Sequence, residues 1–322
     1  MTVARPHRGE RVLITGGAGF IGSHVAERLA ARGDRVTILD DLSTGDRDNL
    51  RGLLAGGQAE LRVGDVCEPI AGEFDRIYCL ASPASPEHYR SDPVKTTRTC
   101  VLGAINCLEL ARRTGARVLL SSTSEIYGDP LVHPQEETYR GNVDTAGPRA
   151  CYDEGKRCAE TLFFDYERQY KVSIRVARIF NTYGPRLREG DGRVVSNFLT
   201  QALGGKPLTI YGDGRQTRSF CHVDDMVEGL IRLMDAQIEG AGAVNLGNPE
   251  EISIIDLARR CIETAGSTSS LRFLPLPVDD PRRRRPDISK AMKLLGWSPA
   301  TDLANGLKRT VAWFAGKRHG TM

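Results

Sequence analysis

The run Val12-Leu13-Ile14-Thr15-Gly16-Gly17-Ala18-Gly19-Phe20-Ile21-Gly22 limits the possible folds of this chain more than any other stretch. An apolar strand leads into glycines spaced three apart, Gly16, Gly19 and Gly22, and then into a helical pattern through Val25, Leu29 and Ala30. Each glycine answers a separate need: a tight turn at the strand end, close approach of backbone N–H groups to a pyrophosphate, and a helix packed hard on the sheet. Asp40 ends a second apolar run, Val36-Thr37-Ile38-Leu39, where a carboxylate can accept hydrogen bonds from an adenosine ribose. A glycine-rich turn without a ligand has no need of strand, glycines, helix and acid in that order.

A chain of 322 residues can bury either one elaborated domain or a nucleotide domain with a smaller second lobe. Up to about residue 180, short apolar runs alternate with helical stretches, as a doubly wound parallel sheet requires. The spacing predicts strands at Val12 to Thr15, Arg35 to Leu39, Ala59 to Val63, Arg76 to Leu80, Val118 to Ser121 and Ser173 to Arg178, with long helices over Pro93 to Thr114 and Ala150 to Tyr170. After Asn181-Thr182-Tyr183-Gly184-Pro185 the rhythm breaks into shorter helices (Val194 to Leu203, Val223 to Met234, Ile254 to Thr264, Leu303 to Phe314) and strand-like pieces such as Leu208 to Tyr211 and Ala243 to Leu246. The expected fold class is α/β, a Rossmann-type doubly wound parallel sheet over residues 1–180 with a smaller mixed α/β substrate lobe over 181–322, some of whose segments return to the first domain. The two long helices carry broad apolar flanks, which suit either a homodimer packed through them or an ordinary buried pair.

No apolar run approaches the roughly 18 residues of a spanning helix, and the polar start from Met1 to Arg11 lacks a secretion signal, so the expected compartment is the cytoplasm, away from membranes. A net charge of +3 is too mild to argue for nucleic acid. The eight cysteines form no Cys-x-x-Cys or metal-ligand spacing, so no metal is expected. Cys100 with Cys107, and Cys151 with Cys158, stand two helical turns apart and read as core packing.

Tyr152 and Lys156 stand four apart on a helix, so both point the same way. A lysine beside a phenol, helped by a cationic nicotinamide ring, would stabilise the phenolate; moving a tyrosine from about 10 toward 7 takes about 4 kcal/mol. Such a tyrosine is a general base for an alcohol that gives up a hydride. The pair follows a strand ending in Ser121-Ser122-Thr123-Ser124-Glu125, which puts hydroxyls at the active edge of the sheet.

Together with Asp65-Val66, these motifs resemble the extended short-chain dehydrogenases that modify nucleotide sugars. Within them the chain is most similar to the UDP-glucuronic acid decarboxylase (UDP-xylose synthase) family. The resemblance is carried by Leu80-Ala81-Ser82-Pro83-Ala84-Ser85-Pro86, the run from Ser122 to Pro130, Gly147-Pro148-Arg149-Ala150-Cys151-Tyr152-Asp153-Glu154-Gly155-Lys156-Arg157, the run from Arg178 to Arg186, and Asp191 to Phe198. It implies NAD held by the glycine loop with Phe20 and Ile21, by Asp40, Thr44 and Gly45, by Asp65 and Val66, by Leu80, Ser82 and Thr99, and by Tyr152 and Lys156. Asp40 would repel a 2′-phosphate, and no basic residue looks placed beside it. The resemblance also implies a UDP-sugar held by Asn181, Arg186, Ser196, Asn197, Tyr211, Gln216, Arg218 and Arg284; arginines suit a diphosphate because the planar fork donates twice. Arg284 is then one functional arginine in the run Arg282 to Arg285, bracketed by Pro281 and Pro286, the alternative being a solvated basic loop.

The implied reaction oxidises C4 of the sugar, so that the C6 carboxylate lies β to a ketone and leaves as carbon dioxide. Reprotonation at C5 and return of the hydride give the pentose. Thr123, Ser124, Glu125, Tyr152, Lys156 and Arg284 are the implied catalytic residues. Ser124 stands where dehydratase relatives carry an aspartate; Glu125 reads either as a carboxyl with a raised pKa facing the sugar or as a brace for the strand end. Cys100 occupies a place where relatives commonly carry asparagine. The competing readings are a nucleotide-hexose 4,6-dehydratase or 4-epimerase and, in a different class, a silent NAD-binding scaffold or sensor.

Overall fold

The computed structural model describes residues 9–276 and 283–318, so Pro281 and Arg282 of the basic run lie outside the described residues. Seven strands form one sheet in the order Ala243–Leu246, Ile174–Ile179, Arg117–Thr123, Arg76–Cys79, Arg11–Thr15, Arg35–Asp40 and Ala59–Val63. Every neighbouring pair is parallel. The strands are apolar on both faces because both are covered: Val12, Ile14 and Ile38 face one layer, Leu13, Ile77 and Val118 the other. Helices Phe20–Ala31 and Val223–Asp235 cover the first face through Val25, Leu29, Met226 and Leu230. Helices Pro93–Thr114 and Ala150–Tyr170 cover the second through Cys107, Leu108, Ala159 and Phe163.

Local chemistry sets the boundaries of the long helices. Asp92 accepts from the Lys95 N–H at 2.9 Å, Pro93 occupies the first turn, and Gly115 closes the helix at φ +73°. The two helices approach closely at Gly155, where a Cβ would lie 3.0 Å from Cys100 Cβ. Cys158, read from sequence as packing, is exposed instead, on the side of its helix away from the sheet. The strand expected to stop at Ser121 continues to Thr123, because Ser122 and Thr123 stay in register with Arg178 and Ile179. Its polar end resembles a loop in sequence, but pairing carries it to the sheet edge.

Ala243–Leu246 closes the sheet beside Ile174–Ile179, although it follows the break in rhythm at residue 181. The remaining segments build a second core of Phe198, Leu199, Leu208, Ile210, Leu257 and Leu307. It is ringed by helices Val194–Leu203, Ile254–Thr264 and Leu303–Arg318. A three-stranded sheet orders Glu251–Ser253, Thr217–Ser219 and Arg283–Arg284, which brings Arg284 back toward the main sheet. No helix among the described residues is long and apolar enough to cross a membrane.

Candidate active site

The strand order reverses between Arg11–Thr15 and Arg76–Cys79, and a crevice opens at the carboxyl ends of strands at such a switch. A cleft of about 1280 Å³ runs from there to the second core. Its floor is the glycine turn. Gly16 has φ +72°, and a Cβ on Gly22 would sit 2.2 Å from the Gly16 carbonyl oxygen, so neither position admits a side chain without moving backbone. Phe20, Ile21, Thr44, Gly45, Asp65, Val66, Leu80, Ser82 and Thr99 line the same end of the cleft as Gly16, Gly19, Gly22 and Asp40. The Asp40 carboxylate is fixed by the Ala18 and Leu42 N–H groups, each at 2.9 Å, and burial raises its pKa despite those donors.

A basic residue lines this end of the cleft. Lys95 Nζ lies 2.7 Å from Asp41 Oδ2, brought there by the start of the Pro93–Thr114 helix. Its charge is already matched by that carboxylate.

The middle of the cleft holds the residues of the strand end and the Ala150–Tyr170 helix. Thr123, Ser124, Glu125, Tyr152 and Lys156 all line it. Tyr152 stacks on Tyr89 with ring centroids 5.3 Å apart, and Thr123 lines the cleft beside it. Lys156 shares the helix face but reaches past the phenol: Nζ is 5.9 Å from the Tyr152 ring centroid and donates to the Ser121 carbonyl at 2.9 Å. In the chain alone, burial therefore dominates and holds the phenol well above its ordinary pKa. The lowered value expected from the Tyr-x-x-x-Lys spacing is not a property of these two side chains by themselves. Behind them, Ser122 donates to Glu160 at 2.5 Å and Arg178 pairs with Glu160 at 2.8 Å, so the strand end is anchored to the helix by a buried network.

Glu125 also departs from the sequence reading. Arg284 grips it as a fork: Nη2 donates to Oε2 at 2.8 Å and Nη1 to Oε1. Arg149 donates to the same carboxylate from the other side. Burial alone would raise the Glu125 pKa, but the two guanidinium charges outweigh it and bring it down to about 2. The carboxyl is thus an anion clamped by two cations, and the raised pKa expected from a neighbouring substrate charge is corrected. Arg284 is only 5% exposed, while Arg283 is exposed and Arg285 reaches Glu251 at 3.7 Å, so the basic run divides its described members between three environments.

At the far end, Asn181, Arg186, Asn197, Tyr211, Gln216 and Arg218 line the cleft with Arg284. Arg186 adopts φ +66°, pairs with Glu27, and keeps Nη1 buried without a hydrogen-bond partner. Ser196 does not line the cleft: it is fully buried and donates to the Arg188 carbonyl at 2.5 Å, holding the loop before its helix. Cys100 sits beside Tyr152 and Tyr89, its Sγ 3.3 Å from Ser82 Oγ, so thiol and hydroxyl meet where an amide was expected in relatives. No cluster of potential metal ligands occurs among the described residues.

Sequence reasoning passed over Arg149, which lines the cleft and holds Glu125. A signal was there: it is the N-cap of the Ala150–Tyr170 helix, where the macrodipole disfavours a cation unless an anion faces it.

Comparison with known proteins agrees with this geometry. Residues 12–247 match the NAD dependent epimerase/dehydratase family. The chain is 55% identical over 307 residues to UDP-glucuronic acid decarboxylase 2 of Arabidopsis thaliana, covering 95% of this chain and 68% of that protein. It is 53% identical over 306 residues to UDP-glucuronic acid decarboxylase 1 of Danio rerio, covering 95% and 73%. Among solved structures, a UDP-glucuronic acid 4-epimerase from Bacillus cereus, in complex with UDP-glucuronic acid and NAD, superposes with a TM-score of 0.85 at 26% identity, over 95% of this chain and 99% of that one. The chain belongs to the NAD dependent epimerase/dehydratase family and, within it, to the UDP-glucuronic acid decarboxylases.

Proposed function

We propose that this enzyme converts UDP-glucuronic acid to UDP-xylose and carbon dioxide, with NAD bound in the glycine-floored end of the cleft. The observation that carries the reading is a juxtaposition on one cleft wall: the Thr123–Tyr152 hydroxyl pair stands beside the Glu125, Arg149 and Arg284 charges. The first suits a proton transfer at an alcohol, the second a carboxylate two carbons further along a sugar.

The residues fit the cofactor, since the turn at Gly16 and Gly22 has no room for side chains and the Asp40 carboxylate is held at the cleft wall. NAD, when bound, supplies the hydride acceptor and donor and a positive ring charge. Tyr152 Oη takes the proton of the C4 hydroxyl, with Thr123 beside it. Lys156, fixed on the Ser121 carbonyl, adds a buried cation on the same side. Arg149 and Arg284 face the C6 carboxylate with Glu125 between them, and Ser124 offers a neutral hydroxyl. Arg186, Arg218 and Gln216, which line the far end of the cleft, hold the nucleotide diphosphate and base. All eight cysteines are unpaired, which favours a reducing compartment such as the cytoplasm. The outward flanks of the Pro93–Thr114 and Ala150–Tyr170 helices, with Val94 69% exposed, are where a homodimer would pack.

The test is stoichiometry. Incubated with UDP-glucuronic acid, the enzyme should release carbon dioxide and UDP-pentose in equal amounts with no net NADH in solution. A 4-epimerase would return a hexuronate and no carbon dioxide, and a free 4-keto product with equimolar NADH would mean that the second half-reaction is missing. For the cofactor, Asp40 has its negative charge where a 2′-phosphate would approach, and Lys95 is already neutralised. NAD should reactivate cofactor-stripped enzyme at least tenfold better than NADP, about 1.4 kcal/mol. Equal activation by the two would overturn the assignment of Asp40.

A further inference from the structure

A second carboxyl stands behind the first. Asp153 follows Tyr152 in the helix, is 5% exposed, and has Oδ1 buried without a hydrogen-bond partner. Its Oδ2 is 3.9 Å from Arg149 Nε, within ionic reach but too far for a hydrogen bond. Glu125 has the opposite situation, with Arg284 donating to both oxygens and Arg149 to Oε2. If all four groups are ionised, Glu125, Asp153, Arg149 and Arg284 sum to zero, so this cluster by itself offers an entering carboxylate no net positive charge.

We infer that Asp153 takes a proton from solvent when a nucleotide sugar bearing a carboxylate binds, so that the wall becomes net positive and matches the incoming charge. The inference rests on the UDP-glucuronic acid reading of the site. Asp153 is the group able to do this, because neutralising Glu125 would break the fork with Arg284, whereas neutralising Asp153 breaks no hydrogen bond. The charged groups facing it are Arg149 and Glu154 from its own helix, Glu125 from the turn after the Arg117–Thr123 strand, and Arg284 from the strand beyond. From the Pro86–Ser91 helix, Tyr89 feels the same charges, and the Pro93–Thr114 helix brings the uncharged Thr97 and Cys100 to this end. Burial first, and then Glu125, push the Asp153 carboxyl up to about 7, so one more nearby anion suffices to complete its protonation at neutral pH. The arrangement makes Asp153 a positioning residue that acts through Arg149.

The experiment is calorimetry on NAD-loaded Tyr152→Phe enzyme, which binds without appreciable turnover, in two buffers of different ionisation enthalpy near pH 7.5. UDP-glucuronic acid should bind with uptake of roughly half a proton more than UDP-xylose, which lacks the carboxylate. In Asp153→Asn or Asp153→Ala on the same background that difference should vanish. Equal uptake with the two ligands would overturn the inference, and so would a difference that survives in whichever Asp153 variant folds. Failure of the substrate reading gives a separate result: no binding of UDP-glucuronic acid and no carbon dioxide from the unmodified enzyme.

Discussion

Replacing Tyr152 by phenylalanine is expected to lower turnover of UDP-glucuronic acid by roughly a hundredfold or more, at least about 2.7 kcal/mol of barrier, with little change in UDP affinity. The ring is buried against Tyr89, Cys100 and the strand end, so deletion of one oxygen preserves the packing. The loss should fall on kcat rather than KM, since the hydroxyl acts in the transition state and contributes little to holding the nucleotide. Steady-state carbon dioxide release with a parallel UDP titration measures both. Near-normal kcat would remove Tyr152 from the proton transfer. Because burial raises the phenol in the chain alone, the apparent pKa governing kcat/KM should be lower with NAD loaded than the pKa titrated in the stripped enzyme; its sign is that of a cation introduced beside the group.

The second large effect is expected at Arg284. Arg284→Gln removes one of the two guanidinium groups that clamp Glu125, and the remaining carboxylate is then held by Arg149 alone. We expect kcat/KM for UDP-glucuronic acid to fall by about a hundredfold. Stability should drop by about 3 kcal/mol, the low end of the range for breaking a buried ion pair, because Arg149 stays in place. The pH dependence has a defined sign. The Glu125 pKa lies below its unfolded value, so its stabilising contribution is full above the ordinary carboxylate range and is lost as pH falls toward about 2. In the variant, with one cation gone, the Glu125 pKa rises toward its unfolded value, so the loss between pH 7 and acid should be smaller and complete at a higher pH. Chemical denaturation at pH 4 and at pH 7 measures this, and an unchanged difference between the two pH values would show that Arg284 does not hold the Glu125 charge.

Local chemistry made much of the architecture legible in the sequence. The Pro93–Thr114, Val194–Leu203 and Ile254–Thr264 helices show in their apolar periodicity. What sequence could not resolve were meetings between distant residues. Lys95 and Asp41 are 54 apart, and only the packing of a helix start against a strand end makes them a pair. Glu125 and Arg284 are 159 apart, so the clamp and its effect on the carboxyl had no local signature. Ser196 shows the reverse problem: its position in a family motif suggested the substrate, but one helical turn aims its hydroxyl at the Arg188 carbonyl.

The seventh strand has a consequence for how the molecule is made. Ala243–Leu246 pairs with Ile174–Ile179 across the intervening residues 180–242, which include the Val223–Asp235 helix covering the same region of the sheet. When a ribosome has released only the first six strands, Ile174–Ile179 is an open edge whose face is still waiting for Met226 and Leu230. A nascent chain stalled or truncated near residue 200 would therefore display an unpaired apolar strand, an invitation to pair with another unfinished copy. Shortened versions ending there should be insoluble even though they contain the whole glycine turn, and the return of the chain to its first sheet closes that exposure when synthesis passes residue 246.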